Sequence, residues 1–254
     1  MRRLAWIDGR VVEASEFRPR CPYVMQRVHT LRGRAYFLAR HLELLREGSE
    51  RLFGFASLCS VADAEAIIAD LVSRSRLSPM FSAPIALRLM ADGELCFEVE
   101  MPTYGEGAYL RAKRFEAVVV RARQPLTMAQ TTATVAEDAL SDRYVAQFGG
   151  DRAIWVDGDM RLISRPWLPI FASFRDTVYT PAEYASVEYL VAAKAIHDAG
   201  YTLVVRDIPE SSLQRMEELF MVDIMGVSSF ARIGHHRLLS SVASRVAAVM
   251  MPKP

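Results

Sequence analysis

The stretch PAEYASVEYLVAAKAIHDAGYTLVVRDI, residues 181–208, limits the fold more than any other. It reads as a helix with Pro181 near its start and Gly200 at its end, the usual placement of these two residues around a helix. The strand YTLVVRDI follows at once. A helix that feeds a strand without a linker needs a sheet to lie against, so the chain must mix helix and sheet.

The rest of the sequence agrees. LAWIDGRVVEA alternates around Asp8-Gly9 and predicts a hairpin, and a second strand pair turns near Arg32-Gly33-Arg34. ARHLELLREGSERLFG carries Leu42, Leu45 and Leu52 at helical spacing and stops at Gly54. VADAEAIIADLVSRSRL predicts another helix, and APIALRLMADGELCFEVEMP a hairpin with Asp92-Gly93 at its tip. RFEAVVVRA is a strand. TTATVAEDALSDRYVAQFGG is a helix ending at Gly149-Gly150, and strands follow in RAIWVDGDMRLIS and LPIFASFRDTVYTP. ESSLQRMEELFMV is a short helix running into a strand, with Met216, Phe220 and Met221 at core positions. The class is α+β, with a small N-terminal lobe over 1–118, a connector at 119–127 and a larger C-terminal lobe over 128–254.

Composition removes several functions. The 254 residues are 51% hydrophobic with a formal net charge of +1, enough for a sizeable core and no basic field for nucleic acid. The N-terminus has arginines but no apolar segment behind them, and no run is long enough to span a membrane. Cys21, Cys59 and Cys96 are scattered and odd in number, so neither a metal site nor a disulfide framework is expected. His235 and His236 are adjacent and cannot both face one ligand on a regular element. His197 sits among polar neighbours on a helix. Neither a nucleophile-elbow serine nor a phosphate-binding glycine loop is present. A cytoplasmic location is the expectation.

The order of elements, with HLELLREGSERL early and FRDTVYTP, AKAIHDAGYTLVVRDI and EELFMV late, resembles the class IV pyridoxal-phosphate (PLP) enzymes. These are the branched-chain and D-amino-acid aminotransferases and the aminodeoxychorismate lyases. Asp8, Gly33, His41, Gly149, Thr180-Pro181 and Gly200 carry the likeness, which covers nearly the whole chain. It implies the two-lobed fold of D-amino-acid aminotransferase (PLP fold type IV), a cofactor between the lobes, and a homodimer.

The chemistry that the resemblance implies is not matched residue by residue. The family forms a Schiff base from a lysine, whose place in MAQTTATV falls on Gln130 or, one residue on, Thr131. The phosphate-binding arginine after His41 falls on Leu44. The glutamate at the pyridine nitrogen falls on Ser164, and the phosphate-cupping turn on Ser186-Val187-Glu188. A second phosphate hydroxyl falls on Ile224, and the tyrosine beside the ring hydroxyl on Val135. Losing several phosphate contacts weakens PLP by about 4 kcal/mol, on the order of a thousandfold. Glu188 adds a carboxylate beside a phosphate. Lys113, Lys194 and Lys253 are the only lysines, and each reads as surface charge. Pro166 and Pro169, around Trp167, stiffen a loop that the family keeps glycine-rich.

The expectation is therefore an aminotransferase-like protein that uses no PLP and no metal. Its cleft between lobes would hold a small carboxylate or amino-acid-like metabolite, by binding or by cofactor-independent catalysis. Arg88, Tyr23, Gln26, Gln130, Ser164 and Asp223 are the candidate binding residues; Gln130, Glu188 and His29 are the candidates for catalysis. Three of these have a plainer reading: Arg88 in a salt bridge with Glu98 or Glu100 across its hairpin, Glu188 as a helix cap, and Gln130 as a space-filler; His41, not among the candidates, reads as framework. Two alternatives stand beside this one. One is a non-catalytic dimer partner or scaffold with a decayed pocket. The other is a PLP aminotransferase or lyase whose lysine lies elsewhere.

Overall fold

The computed structural model describes residues 2–31, 34–77, 81–101, 104–105, 114–121 and 128–250. The chain divides into two compact units, residues 1–106 with 128–135 and residues 107–127 with 136–254. Most of the expected connector, residues 122–127, lies outside the described residues, as do Lys113, Lys253 and the turn at Arg32-Gly33.

The first unit opens with β1 (Leu4–Ile7) and β2 (Arg10–Glu13). Asp8 (φ 41°) and Gly9 (φ 91°) join them with positive φ at both positions, the hairpin geometry that Asp-Gly adopts readily. β3 (Tyr23–Leu31), β4 (Arg34–Ala35), α1 (Leu38–Phe53) and α2 (Val61–Arg74) follow. Gly54 ends α1 in the left-handed region (φ 77°), and the Ser60 side chain caps α2 by accepting from the Asp63 amide. Next come β5 (Phe81–Met90), β6 (Leu95–Val99) and β7 (Tyr104–Gly105). β8 (Phe115–Arg121) belongs to the second unit, whereas β9 (Gln130–Thr131) belongs to the first.

The first sheet runs β2-β1-β6-β5-β3-β4, with β7 on β5 and β9 on β3. Strand alternation gives it two unlike faces. One buries Val24, Val28, Ile85, Leu87, Leu89 and Phe97 against Leu42 and Leu45 of α1 and Ile68 and Leu71 of α2. The other carries a smaller cluster of Ala5, Phe17, Tyr23, Met25, Ala86, Met90 and Cys96. The charged residues discussed below share this second face.

α3 (Thr132–Ala146) leads into the second unit, which continues with β10 (Arg152–Val156), β11 (Ile170–Phe174), β12 (Thr177–Thr180), α4 (Val187–Asp198) and β13 (Thr202–Val205). A 3-10 turn at Glu210–Arg215 precedes β14 (Glu218–Asp223), β15 (Gly226–Ile233), β16 (His236–Arg237) and α5 (Ser241–Val249). The sheet order is β10-β8-β15-β14-β11-β12-β13, with β16 on β15. Phe171, Phe220, Val222 and Val227 pack with Ala192 and Ile196 of α4 and Val242 and Val246 of α5. Met216 and Met221 are buried in the cluster with Phe230 and Ile170, so the expected core assignment of these methionines holds.

The helix expected from Pro181 begins later, at Val187. Ser186 is its cap: the hydroxyl accepts from the Tyr189 amide and the backbone there is extended. A side-chain cap outweighs the helix-starting preference of Pro181 because it satisfies an amide that the first turn otherwise leaves unpaired. Glu218, only 1% exposed, is a buried carboxylate with a similar task. It accepts from the Val242 and Ala243 amides and from the Ser241 hydroxyl, at the start of α5. Among the described residues no helix is long and apolar enough to cross a membrane.

Candidate functional site

In the first unit, β3 pairs with β5 so that Tyr23 lies opposite Met90, and Met25 opposite Arg88. β9 pairs Gln130 with Met25. Paired residues share a face, so Tyr23, Arg27, Arg88 and Gln130 all belong to the face away from α1 and α2. Gln26 falls on the other face. Its Oε1 lies 3.0 Å from His41 Nδ1 on α1, so the structure does not bring Gln26 together with Arg88.

An alternating chain of charges crosses this face. Arg3 Nη2 donates to Glu98 Oε1, and Arg88 Nη1 to Glu98 Oε2, both at 2.6 Å. Arg88 Nη2 lies 4.0 Å from Glu100 Oε1. Arg27 Nε donates to Glu100 Oε2 at 2.9 Å, and Arg27 Nη1 to Gln130 Oε1 at 3.3 Å. The cross-hairpin partners expected for Arg88 are therefore present. Arg88 is 9% exposed and its Nε has no partner. Burial works against its charge, but Glu98, Cys96 and Tyr23 together more than offset this and the guanidinium stays firmly protonated. The adjacent Cys96 thiol is pushed up to about 12 by burial, although Arg88 opposes the shift.

Beside this chain lies a cavity of about 370 Å³, lined by Arg3, Ser15, Phe17, Arg18, Tyr23 and Arg88, with Glu13, Glu98, Ala14 and Pro19. The Arg88 guanidinium stands 5.6 Å from the Tyr23 ring centroid.

The histidines of this unit are polar but held neutral. His29 Nδ1 lies 3.1 Å from Ser82 Oγ, and burial lowers its pKa to about 4. His41 is lowered to about 3, by burial first and then by the nearness of a second histidine, His29. In the second unit His236 Nε2 is tied to the Met216 carbonyl at 2.8 Å, and His197 is exposed. No group of three or more metal-ligating side chains occurs among the described residues.

In the second unit, the loop from Ser164 to Pro169 is fastened from several sides. Ser164 Oγ accepts from the Ile170 amide at 3.1 Å. The Tyr184 hydroxyl donates to the Ser164 carbonyl at 2.7 Å, and Ser186 donates to the Pro166 carbonyl at 2.6 Å. Burial raises the Tyr184 pKa, opposed by the Ser164 side chain and the charge of Arg165. Arg165 is 2% exposed, ion-paired with Asp138, and lies 4.8 Å from the Trp155 ring centroid and 5.7 Å from that of Trp167. Trp167 Nε1 also donates to Asp138, at 3.4 Å. Glu188 is half-buried in the first turn of α4, and Asp223 Oδ1 accepts from the Met225 amide at 2.7 Å. Leu44, Val135 and Ile224 are half-buried, and Lys194 is exposed in an i,i+4 pair with Asp198.

The structure gathers Arg88, Tyr23 and Gln130, which the sequence singles out, on one face with Arg27; Arg27, Arg3, Arg18, Arg165 and Asp138 are not singled out by the sequence. For Arg27 a signal exists: it is the one arginine in the strand YVMQRVHTL, on the same face as Tyr23 and Met25. Asp138 and Arg165 are 27 residues apart and no local pattern joins them.

Together the two units define the fold of the PLP-dependent aminotransferases of fold type IV, as solved structures show. A branched-chain aminotransferase from Thermoproteus uzoniensis, solved with norvaline, superposes with a TM-score of 0.81 at 16% identity over 97% of this chain and 93% of that one. An aminotransferase from Brucella abortus bound to PLP gives 0.81 at 15% identity over 98% of both chains. The branched-chain amino acid aminotransferase of Escherichia coli gives 0.79 at 15% identity, covering 97% of this chain and 92% of that one. No protein-family model and no curated protein sequence matches the chain.

Proposed function

We propose that this chain has the aminotransferase fold without its cofactor chemistry: it does not use PLP, and it binds a small carboxylate or amino-acid-like metabolite non-covalently on the face that carries Tyr23, Arg88 and Gln130. The observation that carries the reading is Gln130. It stands where the resemblance puts the Schiff-base lysine, is 7% exposed, and its amide accepts from Arg27. An amide forms no imine, and the neighbouring guanidinium disfavours a second cation.

The remaining matched positions do not fit PLP either. The Ser186 hydroxyl is occupied in both directions, by the Pro166 carbonyl and the Tyr189 amide. Ser164 accepts a backbone amide where a carboxylate would be needed, and Leu44 offers no donor. Arginines with a tyrosine along a 370 Å³ cavity favour an anionic ligand of modest size. Titrating the purified protein with PLP and, separately, with small carboxylates tests both halves: we expect no imine absorbance and a measurable heat with a carboxylate. An imine band refutes the first half; silence with every carboxylate refutes the second.

One observation favours a second reading, a non-catalytic partner or scaffold. In the second unit, Ser164, Tyr184 and Ser186 all spend their hydrogen bonds within the protein, as in a pocket that has closed on itself.

A further inference from the structure

The cavity beside the charge chain carries more positive charge than its walls neutralise. Glu98 is shared between Arg3 and Arg88, and Glu100, 4.0 Å from Arg88, is held more closely by Arg27, so one carboxylate faces two guanidinium groups. Glu13, the other acid in the lining, is held by Arg2, which lies outside the lining. Arg18 lines the cavity and donates only to the Phe17 carbonyl, with no carboxylate partner among the described residues. Two cationic charges are thus left uncompensated around one space. Buried Arg88 also leaves its Nε without a partner.

We infer that this cavity is built for a small dianion: a dicarboxylate, or a ligand bearing a phosphate. One negative charge is met by exposed Arg18, the other by the Arg3–Glu98–Arg88 group, whose surplus charge lies on the cavity wall. Phe17 and Tyr23 supply an apolar flank for a short carbon chain. The spacing of the two cationic centres, not the strength of either, sets the selectivity, because a monoanion can engage only one of them. The space suits a small metabolite, near the lower end of ligand pockets. The inference rests on the non-covalent binding reading and names the charge of the ligand for that same face. It is indifferent to whether PLP binds elsewhere.

The test is calorimetric titration of the whole chain with succinate, butyrate and inorganic phosphate at low ionic strength, repeated on Arg18→Gln. Arg18 is exposed, so the variant keeps the fold, and its melting temperature verifies this. Succinate should bind at least about tenfold more tightly than butyrate, and Arg18→Gln should erase the difference by weakening succinate more than butyrate. Phosphate binding as tightly as succinate also supports a dianion site and assigns it to the phosphate class. Equal affinity for butyrate and succinate overturns the inference while the binding reading survives. A preference that persists in Arg18→Gln overturns the role of this cavity. No heat with any of the three probes removes the inference and the binding reading together.

Discussion

Arg27 Nη1 donates to Gln130 Oε1 across 3.3 Å, while its Nε holds Glu100 at 2.9 Å. The amide is therefore one end of a charge chain that reaches Glu98, Arg88 and Arg3. A lysine at residue 130 would set an ammonium against the Arg27 guanidinium in a buried place. We expect Gln130→Lys to destabilise the protein by about 1–3 kcal/mol. Gln130→Met, which loses one hydrogen bond and adds no charge, should cost roughly 1 kcal/mol. Urea unfolding of both variants checks the order; a Gln130→Lys protein as stable as wild type contradicts it.

Arg88 and Glu98 are both nearly buried, with side-chain exposures of 11% and 10%. Removing one partner strands the other. Arg88→Met should cost about 3 kcal/mol, moderated by Arg3, which still holds Glu98. The double variant Arg88→Met/Glu98→Leu should be less destabilised than the sum of the two single variants, because no buried lone charge remains; Arg3, which also loses Glu98, is half-exposed and returns to solvent. A double-mutant cycle with no coupling would show that the pair is not a unit.

His29 and His41 fix the sign of the acid response. Their folded pKa values are lowered to about 4 and about 3, by burial in both cases. The unfolded histidines, near 6.5, therefore take up protons first as the pH falls. Stability from these groups is complete above about pH 7 and is lost progressively from about 6.5 towards 4. Denaturant midpoints measured from pH 7.5 to 4.5 should fall over this window, and His41→Gln should flatten the slope. A midpoint that stays level to pH 5 contradicts the assignment.

Asp138 and Arg165 form the corresponding pair in the second unit, with the Arg165 side chain only 3% exposed. Asp138→Ala leaves that cation between Trp155 and Trp167 without a counter-charge, and should cost about 3–5 kcal/mol. Asp138→Asn, which keeps an acceptor, should cost less. Both tryptophans report on the change, so the emission maximum should move in the Ala variant. Wild-type stability and emission would mean that Arg165 finds another partner.

Much of the fold was legible because its signals are local. The spacing of Leu42, Leu45 and Leu52 and the stop at Gly54 gave α1, and Asp8-Gly9 gave the first hairpin. The start of α4 was misplaced because Pro181 and Ser186 are both sound helix starters, and only the capping bond made by Ser186 decides between them. Arg88–Glu98 could be anticipated from hairpin pairing, being ten residues apart. Arg27–Glu100 spans 73 residues and requires the order β6-β5-β3, which periodicity alone does not give. Gln26 and Gln130 are chemically alike, yet strand register sends them to opposite faces. The fastening of the Ser164–Pro169 loop, too, depends on neighbours from α3, β10 and the α4 cap that no motif joins.

Whether this fold has parted from its cofactor is tested most directly by incubating the whole protein with PLP, reducing with borohydride and weighing the intact, denatured chain. We expect the mass to stay that of the chain alone, with no imine absorbance before reduction. A stoichiometric gain of one reduced PLP, mapped to a single lysine, would contradict the central claim and name the residue that replaces Gln130.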